Sequence, residues 1–330
     1  MSSLTNSDPS LVRAGELVVK YLPHKASLWL KPVGSLSRHH PESRFYQPWY
    51  TEHQTLLQSG WKPWDQEKSG WEQVVLIGGK QKEENKHLIR CGRQLATPSG
   101  FLYFVIPNDH GSKSYQKEFE ESHALETLEV GRKSRLYVLR ALPSEGPVEI
   151  HNYQENTSGD ITLPGLFSWT KGDRGSELLC QVLREESLRG PIADLGAGWG
   201  YLARALPQKA ILHLIEADQR GLDACLRNVD HPSFHCHWAD VADPHSIPQE
   251  LHGNCQTVVT NPPFHQGKKA DPVLGGAFVA SARKLLRKKG QVYLVGNDHL
   301  PYRKIMKAFF PQVDQLACDR GFRVLRGRLT

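Results

Sequence analysis

Cys-x-x-Cys pairs and long apolar runs are missing from this sequence of 330 residues, and its opening does not predict an export signal. The six cysteines include no Cys-x-x-Cys pair, which argues against a disulfide framework and a four-cysteine zinc site. No apolar run approaches the roughly 20 residues that cross a bilayer. The opening MSSLTNSDPSLVR lacks the basic and apolar segments of an export signal. These absences predict a soluble protein of the reducing cytoplasm, with no metal and no membrane contact.

The composition is that of a globular protein, with 39% hydrophobic and 23% charged residues. The length is sufficient for about two domains, each with its own core. The net charge of +6 favours an anionic partner such as RNA, although it is a weak signal when taken alone.

An internal repeat gives the first indication of the architecture. GFLYFVIPNDHGSKSYQKEF from Gly100 resembles GQVYLVGNDHLPYRKIMKAF from Gly290. RLYVLRA and FRVLRGR follow these two stretches, and VVLIGG and VVTNPP precede them, in the same order. Three blocks in register predict a duplication of one α/β domain.

The two copies differ at the positions where chemistry is expected. The first copy has Ile77, Gly78 and Gly79 in place of the Asn-Pro-Pro of the second, and it has no glycine-rich turn. Polar turn formers between residues 142 and 162 mark the join. We therefore expect a degenerate domain over residues 1–150 and an active domain over residues 151–330.

A glycine-rich turn in the second copy predicts a nucleotide-type site. PIADLGAGWGYLARAL reads as a buried strand, a turn and an apolar-periodic helix. Asp194 supplies a carboxylate at the strand end, and glycines allow the backbone to turn sharply and a ligand to approach closely. The residues of the turn are Gly196, Ala197, Gly198, Trp199 and Gly200.

Two further acids follow the next two predicted strands. Glu216 stands 22 positions after Asp194, close to the spacing expected for a carboxylate that binds ribose hydroxyls. Asp240 follows the strand FHCHWADV and could accept a hydrogen bond from an adenine amino group. Asp218 and Asp243 compete for these roles, and a place in solvated loops suits them equally well. The three strand-end acids predict an adenosine site.

The most specific motif is the tetrapeptide Asn261, Pro262, Pro263 and Phe264 at the end of the fourth strand. Neither proline has an N–H, and both bias the backbone to extended conformations. The Asn261 side-chain oxygen and the Pro262 carbonyl can then both accept from one planar –NH2 group. Phe264 is placed to stack on a target base, a contact worth roughly 1–3 kcal/mol.

Basic and histidine residues nearby give weaker signals. Lys268 and Lys269 stand where a phosphate backbone could pass, and His265 could contact RNA or assist proton loss, although a loop role suits His265 equally well. His235 and His237 form an HxH pair that could bind zinc, but no further ligands complete a usual site. We therefore predict no metal.

These motifs together resemble the ribosomal small-subunit guanine-N2 methyltransferases. The resemblance rests on DLGAGWG, Glu216, Asp240, NPPFHQG, FRVLRGR and the segment LPGLFSWTKGDRGSELL, and it extends from about Thr162 to the C-terminus. It implies two tandem Rossmann-like class I methyltransferase domains, with an inactive first domain that supports RNA binding or the shape of the second. Trp199 departs from the small residues that the family has inside the turn.

The resemblance also implies a cofactor, a substrate and roles for individual residues. S-adenosyl-L-methionine would be held by Asp194 to Gly200 and Glu216, with Phe167 and Ser168 at the pocket edge, and Asn261 to Phe264 would grip guanine N2 in 16S ribosomal RNA. A monomer is expected. The alternatives are methylation of large-subunit guanine N2, protein glutamine N5 or adenine N6, and a non-catalytic RNA-binding assembly factor, which cofactor binding without turnover would support.

Overall fold

The computed structural model describes residues 8–34, 36, 40–120, 125–131, 133–142, 146–263, 265–266, 269–270 and 272–330. For residues 117, 118, 120, 125, 265, 266, 269, 270 and 272 it describes the backbone only. The chain divides into two compact units, Met1–Asn152 and Tyr153–Thr330. The division falls inside the turn-rich segment between residues 142 and 162.

The first unit contains four α-helices and seven strands within its described residues. They are α1 (Pro9–Tyr21), β1 (Ser27–Leu30), β2 (Arg44–Tyr46), α2 (Tyr50–Gln58), β3 (Lys62–Pro63), β4 (Trp71–Ile77), α3 (Lys82–Leu95), β5 (Ala96–Pro107), α4 (Lys113–Glu120), β6 (Leu125–Gly131) and β7 (Ser134–Arg140).

The second unit begins with a short two-stranded ribbon and continues with the larger α/β layers. Its elements are β8 (Gln154–Glu155), β9 (Ile161–Thr162), α5 (Arg174–Glu185), β10 (Ile192–Leu195), β11 (Leu212–Glu216), α6 (Gln219–Asn228), β12 (Phe234–Trp238), β13 (Cys255–Thr260), β14 (His265–Gln266), β15 (Lys269–Ala270), α7 (Pro272–Leu285), β16 (Leu286–Asn297), α8 (Tyr302–Lys307), β17 (Gln312–Asp319) and β18 (Phe322–Arg328).

Both units build a seven-stranded sheet with the same strand order. The orders are β3-β2-β1-β4-β5-β7-β6 and β12-β11-β10-β13-β16-β18-β17. The first five strands of each are parallel, and the last two pair antiparallel. The predicted fold class, two tandem Rossmann-like domains, is therefore confirmed.

Strand register allows the two units to be aligned residue by residue. Leu30 pairs with Leu76 in the first sheet, and Leu195 pairs with Thr260 in the second. The alignment makes Ile77 the counterpart of Asn261, as the sequence blocks predict. The Val-Leu-Arg letters shared by β7 and β18 are displaced by two residues, because Arg140 faces Phe101 and Arg328 faces Gln291. A shift of two keeps each side chain on the same face of the sheet.

Apolar side chains cover both faces of each sheet. On the second sheet, Ala193, Val258 and Leu294 lie in a cluster with α7 side chains, while Leu214 and Val259 lie in a cluster with α5 side chains. Continuous apolar strands are typical of parallel sheets buried on both faces. Among the described residues, no helix is both long and apolar enough to cross a bilayer.

The sequence predicts a helix after the glycine-rich turn, and this prediction is wrong. The structure has only a 3-10 helix, Leu202–Ala205, in that place. Pro207 disfavours helical backbone at Leu206, which is extended with φ −91° and ψ 147°. The turn is therefore not followed by a long helix whose dipole could act on a ligand.

Gly200 is the position where this turn tolerates a side chain least. Its φ is +88°, and an added Cβ would lie 2.6 Å from Val229 Cγ2. Gly253, with φ +70° and nothing within 4 Å of an added Cβ, is a matched control. Gly253→Ala should cost about 1–2 kcal/mol from left-handed backbone alone, and Gly200→Ala about 1–3 kcal/mol more from overpacking. Urea unfolding of both variants tests this difference, and equal losses would contradict it.

Candidate active site

The carboxyl ends of β10, β11 and β13 meet at one edge of the second sheet, where open α/β sheets bind ligands. The turn after β10 has three glycines with positive φ, namely Gly196 (+73°), Gly198 (+55°) and Gly200 (+88°). An added Cβ at Gly198 would meet nothing within 4 Å. The backbone of the turn is therefore open to a ligand at Gly198, whereas Gly200 packs against α6.

Glu216, at the end of β11, holds the glycine turn from the side. Its carboxylate accepts from Gly198 N–H at 2.8 Å and from Asp218 N–H at 2.8 Å. The turn is also closed by Gly196 N–H and Ala197 N–H, which both donate to the Ile215 carbonyl, at 2.9 and 3.1 Å. Burial raises the pKa of Glu216 to about 7, although the backbone N–H donors oppose that change.

Asp194 is the most unusual polar group of the site. It is fully buried at the end of β10, and neither carboxylate oxygen has a hydrogen-bond partner among the described residues. Burial, with a smaller contribution from the charge of Glu216, raises its pKa to about 8. Buried polar groups are nearly always paired, so an orphaned carboxylate at a strand end indicates that a ligand donor belongs there.

The other candidate acids have separate structural duties. Asp218 caps α6 and forms a buried ion pair with Arg220, with 2.6 Å between Oδ2 and Nη2. Asp243 accepts from His245 N–H in a loop turn. Asp240 lies beyond the end of β12, and its carboxylate accepts from Ala242 N–H at 2.8 Å. Asp240 thus follows the end of β12, the strand next to β11. Its carboxylate also stabilises the loop in which it stands.

Asn261 follows directly after β13 and is held by the start of α5. Its Nδ2 donates to Asp173 Oδ2 at 2.9 Å and to Ser176 Oγ at 2.8 Å. Its Oδ1 is buried and has no hydrogen-bond partner in the part of the chain that the structure describes. Pro262 is buried and Pro263 is exposed. One hydrogen-bond acceptor is therefore left over just after β13 among the described residues.

The predicted RNA-contacting residues fall largely outside the described structure. Phe264 and Lys268 are outside the described residues, and His265 and Lys269 are described by their backbone alone. That backbone forms an antiparallel pair in which His265 faces Ala270 and Gln266 faces Lys269.

Trp199, the bulky residue inside the glycine turn, points away from the open side of the turn. Its ring is buried with Leu163, Leu166 and Ala224. Its Nε1–H donates to the carbonyl of Phe167 at 3.1 Å. Trp199 therefore ties the glycine turn to the segment that carries Phe167 and Ser168.

That segment, residues 153–171, is anchored at several points. Asn228 of α6 donates to the carbonyls of Ile161 and Trp199, at 2.8 and 2.9 Å, and accepts from Ile161 N–H at 2.7 Å. Phe167 is 61% exposed, and Ser168 has φ +51°. The segment thus presents an exposed aromatic ring next to a strained residue, beside the glycine turn.

The corresponding edge of the first sheet has lost these groups. By strand register, Trp29 stands for Asp194, Lys31 for Gly196, Gln47 for Glu216 and Ile77 for Asn261. Lys31 retains a positive φ of 55°, but its side chain forms a buried ion pair with Glu84.

Gln47 keeps part of the hydrogen-bond pattern of Glu216. Its Oε1 accepts from Trp49 N–H, two residues on, as Glu216 accepts from Asp218 N–H. Its Nε2 donates to the Pro32 carbonyl at 2.9 Å, where Glu216 instead accepts from the turn. The first unit therefore has a similar loop arrangement, but it lacks counterparts of Asp194, Glu216 and Asn261.

The histidine pair lies on β12 beside a third histidine. His213 Nδ1 is 3.0 Å from His237 Nε2, and the rings of His213 and His235 stack with centroids 5.3 Å apart. Burial and the neighbouring histidines lower the pKa of His213 to about 4. No group of three or more His, Cys, Asp or Glu side chains among the described residues is arranged to hold a metal ion.

Sequence reasoning missed Asp173 and Ser176 as partners of Asn261. A partial signal was present, because aspartate is a common N-cap residue at the start of a helix. Helix capping alone does not identify a contact with a residue 88 positions away in the chain.

The Asp194–Glu216 pair predicts a pH dependence of stability. Both pKa values are raised on folding, so the folded state binds more protons between pH 4 and pH 8. The free energy of unfolding contributed by the pair is therefore highest near pH 4 and falls as pH rises from about 4 to about 8. Thermal unfolding between pH 5 and 8.5 should depend less on pH in Asp194→Asn than in the wild type. Asp243→Asn is the control, and an unchanged profile in Asp194→Asn would contradict the assignment.

Trp199→Phe should loosen the segment 153–171 without unfolding the domain. The Phe167 carbonyl loses its donor, a loss worth about 1 kcal/mol. Hydrogen exchange of amides from residues 161 to 170 should therefore be several-fold faster. Trp169→Phe, in the same cluster, controls for the loss of an indole ring. Equal acceleration in both variants would show that the hydrogen bond to Phe167 has no special part.

Curated relatives match over most of the chain. The "Ribosomal RNA small subunit methyltransferase C" of Shewanella sediminis is 26% identical over 331 residues, covering 96% of this chain and 92% of the relative. The protein of the same name from Alteromonas mediterranea is 27% identical over 272 residues, covering 78% and 73%.

A solved structure matches the fold, and a family model matches the second half of the chain. The T. thermophilus 16S rRNA N2 methyltransferase RsmC, solved with AdoMet and guanosine, aligns with a TM-score of 0.79 and 22% identity, covering 99% of this chain and 93% of that one. At that identity the match establishes the fold. The family model "Methyltransferase small domain" matches residues 160–326, which include every site residue described above in the second unit. The chain belongs to the methyltransferase small domain family.

Proposed function

We propose that this protein transfers a methyl group from S-adenosyl-L-methionine to the exocyclic N2 of a guanine in 16S ribosomal RNA. The observation that carries the proposal is the unpartnered, buried Oδ1 of Asn261 just after β13, beside β10, which carries the orphaned Asp194 near its end. An acceptor for an amine and a pocket for an adenosyl cofactor are the two parts that the reaction needs.

The residues present fit the cofactor. Asp194 offers two buried oxygens without donors, Gly198 leaves open space, and Glu216 lies at the neighbouring strand end. We assign Asp194, Gly196, Ala197, Gly198, Gly200, Glu216, Asp240 and Asn261 to this pocket, with Phe167 and Ser168 at its edge. The cofactor supplies an electrophilic methyl group on a sulfonium.

The chain's contribution to the chemistry is orientation. Asn261 Oδ1 accepts one N–H of the target amine, which directs the nitrogen lone pair towards the methyl carbon. A bound S-adenosyl-L-methionine would supply the methyl group, and the methylated amine would release its proton to solvent. No base with an unusual pKa is required before attack, because electrostatic positioning supplies most of the catalysis. Pro262, Pro263 and Phe264 complete the proposed grip on the base.

The choice of RNA is supported by the names of the curated relatives and by the net charge of +6. We assign His265, Lys268 and Lys269 to RNA contact, and the first unit to RNA binding or support of the second. A position in the small subunit, a monomeric state and a cytoplasmic location are further parts of the proposal.

Methyl transfer from labelled S-adenosylmethionine to small and large ribosomal subunits, and to their free RNAs, tests the proposal. Nucleoside analysis of the product should give labelled N2-methylguanosine from 16S RNA alone. Label in the large subunit, in adenine or in protein would identify a substrate different from the proposed one. Cofactor binding without transfer to any acceptor would support a non-catalytic assembly factor.

Asn261→Ala should lower the rate of methyl transfer by about 10²-fold or more, because it removes a preorganised acceptor. Cofactor affinity, measured by calorimetry, should change by no more than about threefold, because Asp194, Glu216 and the glycine turn supply the other contacts of the pocket. Asn254→Ala, an exposed asparagine before β13, is the control. Wild-type turnover in Asn261→Ala would exclude the proposed grip.

A further inference from the structure

The amide group of Asn261 is fixed at one end only. Its Nδ2 donates to Asp173 Oδ2 and Ser176 Oγ, at 2.9 and 2.8 Å, while its Oδ1 is left without a partner among the described residues. An ionised carboxylate can only accept hydrogen bonds. Asp173 therefore determines which end of the amide faces it, because the flipped amide would set oxygen against oxygen.

We propose that Asp173 and Ser176 are positioning residues for methyl transfer, which orient Asn261 so that its carbonyl oxygen is the end available to the target amine. The proposal rests on the function given above. It assigns a role to the start of α5 rather than to another group that touches the substrate.

The anchoring residues are themselves rigid. Asp173 is the N-cap of α5, and the oxygen that accepts from Asn261 also accepts from Ser176 N–H at 2.9 Å. Ser176 is buried in the first turn of the helix. Buried residues of α5, such as Leu179 and Leu183, pack with Tyr293 and Val324 of the sheet. The Asn261 amide is therefore held by a helix that packs on the domain core rather than by a surface loop.

The first unit shows what the same N-cap does without an amide. There α1 has the place of α5, with Asp8 as its N-cap, but the counterpart of Asn261 is Ile77. The Asp8 carboxylate lies 3.4 Å from Lys80 Nζ and 3.5 Å from His110 Nε2. The carboxylate lies near Lys80 and His110 in the first unit, and it accepts from an amide in the unit that carries the other site residues.

Freeing the amide should lower kcat rather than weaken cofactor binding. Without its acceptors, Asn261 can rotate by 180° and present –NH2 to an incoming –NH2, which is repulsive. Hydrogen bonds to charged groups are among the stronger ones in proteins, so we expect kcat to fall about tenfold or more.

Three full-length variants separate orientation from folding. Asp173→Ser retains a good N-cap oxygen for α5, but its side chain is too short to reach Asn261. Asp173→Asn keeps an amide oxygen that can accept from both Ser176 N–H and Asn261. Ser176→Ala removes the second acceptor and leaves the backbone N–H of the cap in place. Each is assayed for kcat and KM on the RNA that the wild type methylates, for calorimetric cofactor affinity and for melting temperature.

We expect Asp173→Ser and Ser176→Ala to lower kcat at unchanged cofactor affinity and melting temperature, and Asp173→Asn to restore kcat to within about threefold of wild type. Wild-type kcat in Asp173→Ser would overturn the proposal. So would a fall in cofactor affinity or melting temperature parallel to that in kcat, or an Asp173→Asn variant as impaired as Asp173→Ser.

A spectroscopic measurement keeps this inference separate from the proposed function. With asparagine-selective ¹⁵N labelling, the side-chain amide signal of Asn261, identified by its loss in Asn261→Ala, should show slow hydrogen exchange in the wild type and fast exchange in Asp173→Ser. If that pattern appears but no RNA is methylated, the function fails while the anchoring stands. Fast exchange in the wild type would overturn the anchoring, whatever the activity.

Discussion

The parallel pairing of β10 with β13 is the constraint on which the rest of the site depends. Leu195 pairs with Thr260 at the last position of both strands, and the Thr260 hydroxyl donates to the Leu195 carbonyl at 2.8 Å. Each strand then gives way at once to its functional segment, the glycine turn on one side and Asn261 on the other. A slip of one residue would turn every side chain of β13 to the opposite face of the sheet. The register between β10 and β13 therefore places the proposed cofactor pocket and the amine acceptor side by side.

Duplication followed by local change accounts for the difference between the two units. The sheets share strand order and register, and even the unusual backbone conformation at Lys31 has its counterpart at Gly196. The differences fall at strand ends, where Trp29 and Gln47 of the first unit correspond to Asp194 and Glu216 of the second. Substitutions at these edges leave the sheet core intact, so a fold of this kind can lose chemistry without losing stability.

The fold was predictable from the sequence because its signals are local and repeated. Buried strands, the glycine turn and the Asn-Pro-Pro motif each occupy consecutive residues, and the repeat supplied independent copies of the pattern. The helix expected after Gly200 does not form, because the nearby Pro207 disfavours helical backbone at Leu206. The anchoring of Asn261 by Asp173, and the burial of Trp199 against Leu163, were beyond reach, since both depend on contacts between distant segments.

Gln47 has a consequence for how the second unit meets its ligand. The neutral amide in the first unit forms the same backbone hydrogen bond two residues on that Glu216 forms in the second. The shape of this corner therefore depends on backbone contacts and needs neither a negative charge nor a ligand to form. A site that is already shaped loses little conformational entropy when it is filled. A change of charge at this corner, from Gln47 to Glu216, is therefore compatible with the same backbone hydrogen bond two residues on.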